Sequence, residues 1–358
     1  MSPSSKIPVA VLGATGTVGQ RFISLLDGHP WFEVAAITAS RRSEGKPYEE
    51  AATWIQASPM PEAIRHRVLR PTLPQAADGC PLIFSALDAK AADHLEAPFA
   101  EAGHLVVTNA RSHRMDADVP LMVGEVNPDH LGLLEAQRWP GGIIANPNCS
   151  TIGLVMALRP LVDAFGVRRL NVVSLQAISG AGLPGVSSYQ ILDNLIPWIP
   201  GEEDKLETEP AKILGRLAGD RIEPYPVEVS AQCNRVPVID GHTLCVSVEL
   251  EEKASAEEIL EAWREFRSEA QRLRLPSAPE RPVHVLEGAD QPQPRLHRDL
   301  GGGMAASVGR LRPCPLLDYK FVTLSHNTLR GAAGGALLLA ELAAARGKIP
   351  GVAVPAPS

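Results

Sequence analysis

Along the first half of the chain, short apolar runs alternate with segments whose apolar residues recur at helical spacing. Val9-Ala10-Val11-Leu12 is a run of strand length, and Val18, Phe22, Ile23, Leu25 and Leu26 after it fall at helical spacing. Phe32 to Ile37 predicts a second strand, Leu82 to Leu87 a buried one and Leu105 to Asn109 another. Ala89 to Ala102 carries a helix pattern closed by Gly103. Ile143-Ile144-Ala145 predicts one more strand, leading into a helix that starts near Cys149. This alternation predicts an α/β fold with a doubly wound parallel sheet and helices on both faces.

The second half has a different texture. Leu170 to Ala177, Val227 to Cys233, Thr243 to Leu250, Met304 to Leu311 and Tyr319 to Ser325 predict strands of one mainly antiparallel sheet. Pro197 to Asp204 reads as an irregular, partly acidic connection, and Glu207 to Leu217 as a short helix. Ser255 with Glu258 makes a capping box for a helix running to about Leu273. Thr328 to Arg346 is a strongly apolar helix expected to pack back on the first domain. The expected division is a nucleotide domain over 1–148, completed by a helix over 329–347, and an α+β domain over 149–328.

Composition narrows the class. With 358 residues, 45% hydrophobic and 21% charged, the chain has enough apolar mass for two globular domains. A net charge of −7 leaves no basic footprint for nucleic acid. The five cysteines are scattered, with no metal-ligand spacing, so no metal is expected and the usage suits a reducing compartment, hence the cytoplasm. No run approaches membrane-spanning length, Met1 to Lys6 has no apolar signal core, and Pro350 to Ser358 reads as a loose end.

Chemistry concentrates at a few places. Gly13-Ala-Thr-Gly-Thr-Val-Gly19 sits between a strand and an amphipathic helix, the context of a Rossmann-like dinucleotide turn. Its glycines allow close backbone approach to a pyrophosphate at a helix N-terminus. After the second strand stand Ser40, Arg42 and Ser43 rather than an acidic residue, which favours a 2′-phosphate and hence NADP. Cys149 follows Asn148, a good N-cap, and is read either as a small buried hydrophobe or as a nucleophile with a lowered pKa in the first helical turn. Its position at a strand end, level with Ser85 to Asp88 and Asn109, puts the thiol beside the cofactor and favours the nucleophile. Ser179 to Gly185 is glycine-rich enough for close approach to a ligand. Arg235 suits a bidentate grip on a carboxylate, and His242 after an Asp-Gly turn suits acid–base work. Glu209 and Lys212 share a helix face, which by itself reads as a surface ion pair.

Taken with Asn146-Pro-Asn-Cys-Ser-Thr151, Ile196-Pro-Trp-Ile-Pro-Gly-Glu-Glu203, Cys233-Asn-Arg-Val-Pro-Val238 with Gly241-His242, and Ser325 to Gly335, these motifs resemble the aspartate-β-semialdehyde dehydrogenases of the fungal and archaeal branch, from about Ile7 to Ile349. The resemblance implies an NADP-binding domain, a catalytic and dimerisation domain, and a homodimer or homotetramer. It implies that Cys149 is the acylated nucleophile, His242 the acid/base and Gln176 a substrate-orienting group. Arg235 would grip the substrate carboxylate, Glu209 its amino group, and Arg114 with Lys212 its phosphate. Cofactor contacts would come from Gly13, Thr15, Gly16, Thr17, Val18, Gly19, Ser40, Arg42, Ser43, Ser85, Leu87, Asn109, Ser179, Gly180, Ala181, Gly182 and Asn327. Arg41 departs from the small residue expected there and blurs which arginine meets the 2′-phosphate. The implied activity is NADPH-dependent reduction of β-aspartyl phosphate to aspartate semialdehyde. The alternatives are a malonyl- or succinyl-CoA reductase and, in another class, a non-catalytic NADP-binding protein.

Overall fold

The computed structural model describes residues 5–353; residues 1–4 and 354–358, on which the readings of the leader and the loose tail partly rest, lie outside it. Six parallel strands form the first sheet: β1 (Ile7–Leu12), β2 (Phe32–Ala39), β3 (Arg70–Pro71), β4 (Leu82–Ser85), β5 (Leu105–Thr108) and β6 (Gly142–Ala145). Their order is β3-β2-β1-β4-β5-β6. Every residue of β4, β5 and β6 is buried, which is why these strands read as continuous apolar runs rather than alternating ones. The winding reverses between β1 and β4, so the crevice at the C-terminal ends of these strands is the natural ligand position.

Gly13 follows β1 directly with φ of +70°, and a Cβ there would stand 2.7 Å from the Ala86 carbonyl oxygen. A Cβ on Gly19 would collide with the Gly13 carbonyl oxygen. The glycines are therefore demanded by the turn's own packing as well as by any ligand. Gly19→Ala is expected to cost about 1–3 kcal/mol through overpacking, measured by urea unfolding.

The second sheet has the order β10-β7-β11-β14-β13-β12. Its strands are β7 (Val167–Gln176), β10 (Glu228–Arg235), β11 (His242–Leu250), β12 (Val283–Leu286), β13 (Ala306–Pro313) and β14 (Tyr319–Ser325), and a small hairpin of β8 (Arg216–Ala218) and β9 (Arg221–Glu223) stands apart. The three inner pairings are antiparallel and the two outer ones parallel, so the expected mainly antiparallel sheet is present with parallel edges. The helix Cys149–Phe165 packs on this sheet; its Ile152, Val155 and Met156 share a core with Val172, Val246 and Phe321. Trp263 closes that core and donates from Nε1 to the Ala157 carbonyl at 2.8 Å.

Three expected boundaries move. The helix placed at Glu207 starts five residues earlier, as Glu202–Ile213, because Gly201 takes a left-handed φ of +67° and three acidic residues fill the first turn. Part of the irregular connection is thus helical, and the segment past Ile213 turns into β8 instead. The helix from Ser255 breaks after Glu265, and a second capping box, Ser268 with Gln271, starts a separate turn over Glu269–Arg272. The C-terminal helix opens with a π-turn, Leu329–Ala333, before its regular part, Gly334–Ala345. Leu337, Leu338 and Leu342 of that part join Val9, Phe22 and Phe84 in the core of the first sheet.

Candidate active site

Asn148 caps the helix Cys149–Phe165: its Oδ1 accepts from the Ser150 amide at 2.9 Å and the Thr151 amide at 3.4 Å. The preceding Asn146 is held by two bonds, from Nδ2 to Asn109 Oδ1 at 2.9 Å and to the Ala332 carbonyl at 3.2 Å. These bonds tie together the ends of β5 and β6 and the start of the C-terminal helix, and Cys149 projects from their junction. Its Sγ lies 3.1 Å from His242 Nε2. His242 begins β11 and is fully buried.

The thiol faces a cavity of about 310 Å³ whose lining includes Thr17 and Val18 from the glycine turn, Leu87, Asn109, Arg114 and Gln176. Ser179, Gly180, Gly182 and Asn327 line it as well. Asn327 fixes this wall, donating from Nδ2 to Ser179 Oγ at 2.8 Å and accepting from the Gly241 amide at 2.8 Å. The cavity therefore runs from the nucleotide turn to the thiol. The turn itself fits a dinucleotide: the helix Thr17–Leu26 starts after Gly16 with no side chain capping its amides, which leaves them free for a pyrophosphate.

Other expected residues lie one layer back. Arg235 is buried behind Gly180 and donates from Nη1 to the Ala177 carbonyl at 2.7 Å. Glu209 pairs with Arg114 at 2.8 Å through Oε1 and accepts the Asn148 amide at 2.8 Å through Oε2. Ser85 is fully buried at the end of β4, where its carbonyl accepts from the Asn109 amide at 3.2 Å. Thr15 contributes its carbonyl to Gln20 Nε2 at 3.0 Å, within the glycine turn. Ala181 closes the short turn Ile178–Ala181 without lining the cavity. Ser40 and Arg42 are exposed beyond β2 with Ser43 beside them, outside the lining of this cavity.

Two expectations are revised. Lys212 was expected on phosphate, but its Nζ is buried and donates to three carbonyls, Arg114 at 2.8 Å, Asp116 at 2.7 Å and Val119 at 2.9 Å. Those bonds use all three ammonium protons. Lys205, which pairs with Glu202 at 2.7 Å, is the lysine that lines the cavity. The second revision concerns the thiol. Burial, with Glu202 next, pushes the Cys149 thiol up to about 12, the reverse of the expected lowering. The Ser150 and Thr151 amides at the helix start donate to the Asn148 side chain and not toward the sulfur. Burial, and then Arg235, holds the His242 imidazole down at about 3, so the ring is neutral at working pH.

Glu202 and Gly331 were not singled out in the sequence. Glu202 accepts from Asn148 Nδ2 at 2.9 Å and Gln176 Nε2 at 3.1 Å through one oxygen, and from Lys205 through the other. Burial opposes its charge, but Lys205 and these amides hold its carboxyl below the usual range. The acidic first turn after Gly201 was the available signal. Gly331, in the π-turn, packs on the nucleophile: a Cβ there would stand 2.7 Å from Cys149 Cβ. Gly331→Ala is therefore expected to displace the thiol and slow its acylation by about 10²-fold, read in single-turnover kinetics.

Comparison with known proteins agrees with this architecture. Residues 8–134 match the family described as semialdehyde dehydrogenase, NAD binding domain, and residues 158–330 the semialdehyde dehydrogenase dimerisation domain. An aspartate-semialdehyde dehydrogenase of Archaeoglobus fulgidus is 49% identical over 338 residues, covering 93% of this chain and 97% of its own length. The Saccharomyces cerevisiae enzyme of the same name is 46% identical over 357 residues, covering 95% and 98%. The crystal structure of the Candida albicans aspartate semialdehyde dehydrogenase with NADP superposes with a TM-score of 0.90 at 46% identity, covering 96% of this chain and all of that one. The chain belongs to the aspartate-semialdehyde dehydrogenase family, on the side of its archaeal and fungal members.

Proposed function

We infer that this chain catalyses the reversible, NADPH-dependent conversion of β-aspartyl phosphate into aspartate semialdehyde and phosphate, in the biosynthesis of aspartate-derived amino acids, through a thioacyl intermediate on Cys149. The observation that carries the reading is the thiol, 3.1 Å from a buried imidazole, in a cavity that continues to the dinucleotide turn. Arg235 and Glu209 would hold the amino-acid end of the substrate, and Arg114 its phosphate, with Lys205 as the second cation and Lys212 fixing the segment that carries Arg114. Charge-assisted contacts of this kind place the acyl carbon over the sulfur. Gln176, which lines the cavity and is held by Glu202 Oε2 at 3.1 Å and Ser174 Oγ at 3.3 Å, would orient the substrate. The amide of Cys149 itself remains as a helix-terminal donor for the oxyanion. Bound NADPH supplies the hydride that reduces the thioester. Ser40, Arg42 and Ser43, which stand together just beyond β2, would receive the 2′-phosphate. On this reading the domains meet at 148/149, the second domain joins two copies into a homodimer or a dimer of dimers, and the enzyme works in the cytoplasm. Among the described residues no helix is long and apolar enough to cross a membrane.

The test is NADP reduction by aspartate semialdehyde with and without inorganic phosphate. Turnover that requires phosphate is expected. Turnover of malonyl-CoA or succinyl-CoA with NADPH, without phosphate-dependent aldehyde oxidation, would overturn the reading.

A further inference from the structure

The segment from Ser325 to Gly335 reaches the cavity through Asn327, Thr328, Gly331 and Ala332, but not through His326. That imidazole is only 4% exposed, and the chemistry proposed above makes no use of it. Its Nδ1 accepts from the Thr328 amide and from the Leu329 amide, each at 3.3 Å. Its Nε2 lies 3.9 Å from Asp299 Oδ1. The backbone carbonyl of His326 accepts from the Gly331 amide at 2.9 Å, and that of Thr328 from the Ala333 amide at 3.3 Å. Ring and carbonyl of one residue therefore hold both the first and the third residue of the π-turn Leu329–Ala333.

The third residue is the one pressed against the nucleophile. A Cβ on Gly331 would stand 2.7 Å from Cys149 Cβ and 3.0 Å from its Cα. Ala332, next to it, lends its carbonyl to Asn146 Nδ2 at 3.2 Å. On the far side, Thr328 Oγ1 accepts from Arg21 Nη2 at 3.1 Å, and Arg21 belongs to the helix that starts at the dinucleotide turn. Gly303 leaves the ring its place, since a Cβ there would stand 3.5 Å from His326 Cδ2 and 2.5 Å from Leu329 Cδ1. In packing this close the turn cannot shift without moving the residue it touches.

Building on the acylation step proposed above, we propose that His326 is a positioning residue for catalysis: its Nδ1 fixes the start of the π-turn and, through Gly331, sets where the Cys149 sulfur stands. The first amides of a helical turn have no partner within the turn, and a neutral imidazole supplies an acceptor for them. An apolar side chain of similar size would leave both amides unpaired at a largely buried place, and the turn would relax to pair them with water. The sulfur would then leave the attack geometry without any loss of the groups that bind substrate. Burial holds the His326 imidazole below its ordinary range, with Asp240 and Asp299 opposing and Arg21 and Arg298 assisting. The ring is therefore neutral near pH 7 and keeps its acceptor.

The test compares the parent enzyme with His326→Asn, whose side-chain oxygen can accept from the amide two residues on, and with His326→Leu, which fills space without an acceptor. In single-turnover acylation His326→Leu is expected to lose about 10²-fold, while the KM for phosphate in the oxidative direction and the affinity for NADP each stay within about twofold. His326→Asn should stay within about fivefold of the parent in all three. Hydrogen exchange, followed by mass spectrometry over peptides spanning 326–334, should quicken about tenfold or more at Thr328 and Leu329 in His326→Leu and keep the parental rate in His326→Asn, with the strands of both sheets unchanged. The exchange arm needs no substrate, so it stands even if the proposed reaction fails. Equal losses in the two variants overturn the proposal, because shape and not the acceptor would then be at work. So does parental acylation by His326→Leu, and so does exchange quickened equally across the second sheet, which would make the ring a support of the fold alone.

Discussion

Cys149→Ser is expected to lower phosphate-dependent oxidation of aspartate semialdehyde by roughly 10⁴-fold or more. A serine hydroxyl fits the space, but its oxygen is a far weaker nucleophile at neutral pH than a thiol or thiolate sulfur. The carboxylates of Glu202 and Glu209 are tied to donors on both oxygens and add little activation of their own. The dinucleotide turn lies on separate elements, so NADP affinity measured by fluorescence titration should stay within about twofold, a change of only a few tenths of a kcal/mol. Mass spectrometry after mixing with acyl phosphate should show an adduct of the aspartyl group on the parent enzyme and none on the variant. Near-parental turnover by Cys149→Ser would sink the covalent route.

The second large effect concerns stability. Arg330 and Glu125 form a bidentate ion pair at 2.8 and 2.6 Å, with both side chains essentially excluded from water. Removing one partner of such a pair leaves an uncompensated buried charge and costs about 3–5 kcal/mol. Arg330→Met is expected to destabilise by that amount, seen as a lower urea midpoint, and Glu125→Gln by a similar amount. The double substitution Arg330→Met with Glu125→Leu should recover much of the loss, because the penalty belongs to the orphaned charge rather than to the pair. Arg330 also adjoins Gly331, so the single variant should weaken the thiol's seat and reduce activity before the protein unfolds globally. Single variants with unfolding midpoints equal to the parent's would mean that the pair's charges reach water.

Features set by short stretches of chain were legible in the sequence. The glycine turn, the Asn148 cap and the strand–helix alternation depend on neighbours within a few residues, and they were placed correctly. Glu202 was missed because its importance comes from Asn148 and Gln176, which are 54 and 26 positions away in the chain. Lys212 reads locally as a surface ion pair and was placed on phosphate by the family resemblance alone; nothing local reveals that the 114–119 loop surrounds its ammonium with carbonyls. The sign of the thiol's shift was misread for a related reason. The rule for helix N-termini is local, whereas burial, the larger influence here, is a property of the assembled site. The break at Phe266 was hidden by a helical pattern that continues through it, although the second Ser-x-x-Gln box marks the restart.

The C-terminal helix, Gly334–Ala345, completes the core of a sheet whose strands all lie before residue 146. This has a consequence for synthesis. When a ribosome has released the first 150 residues, Val9, Phe22 and Phe84 still lack the leucines that will cover them, and nearly 190 further residues must emerge first. The nascent nucleotide domain thus carries an unsealed apolar face for tens of seconds at ordinary elongation rates of ~5–20 residues per second. Truncation before residue 334 should yield insoluble protein even though every strand of the sheet is present, and supplying the last helix in trans or by circular permutation should restore solubility.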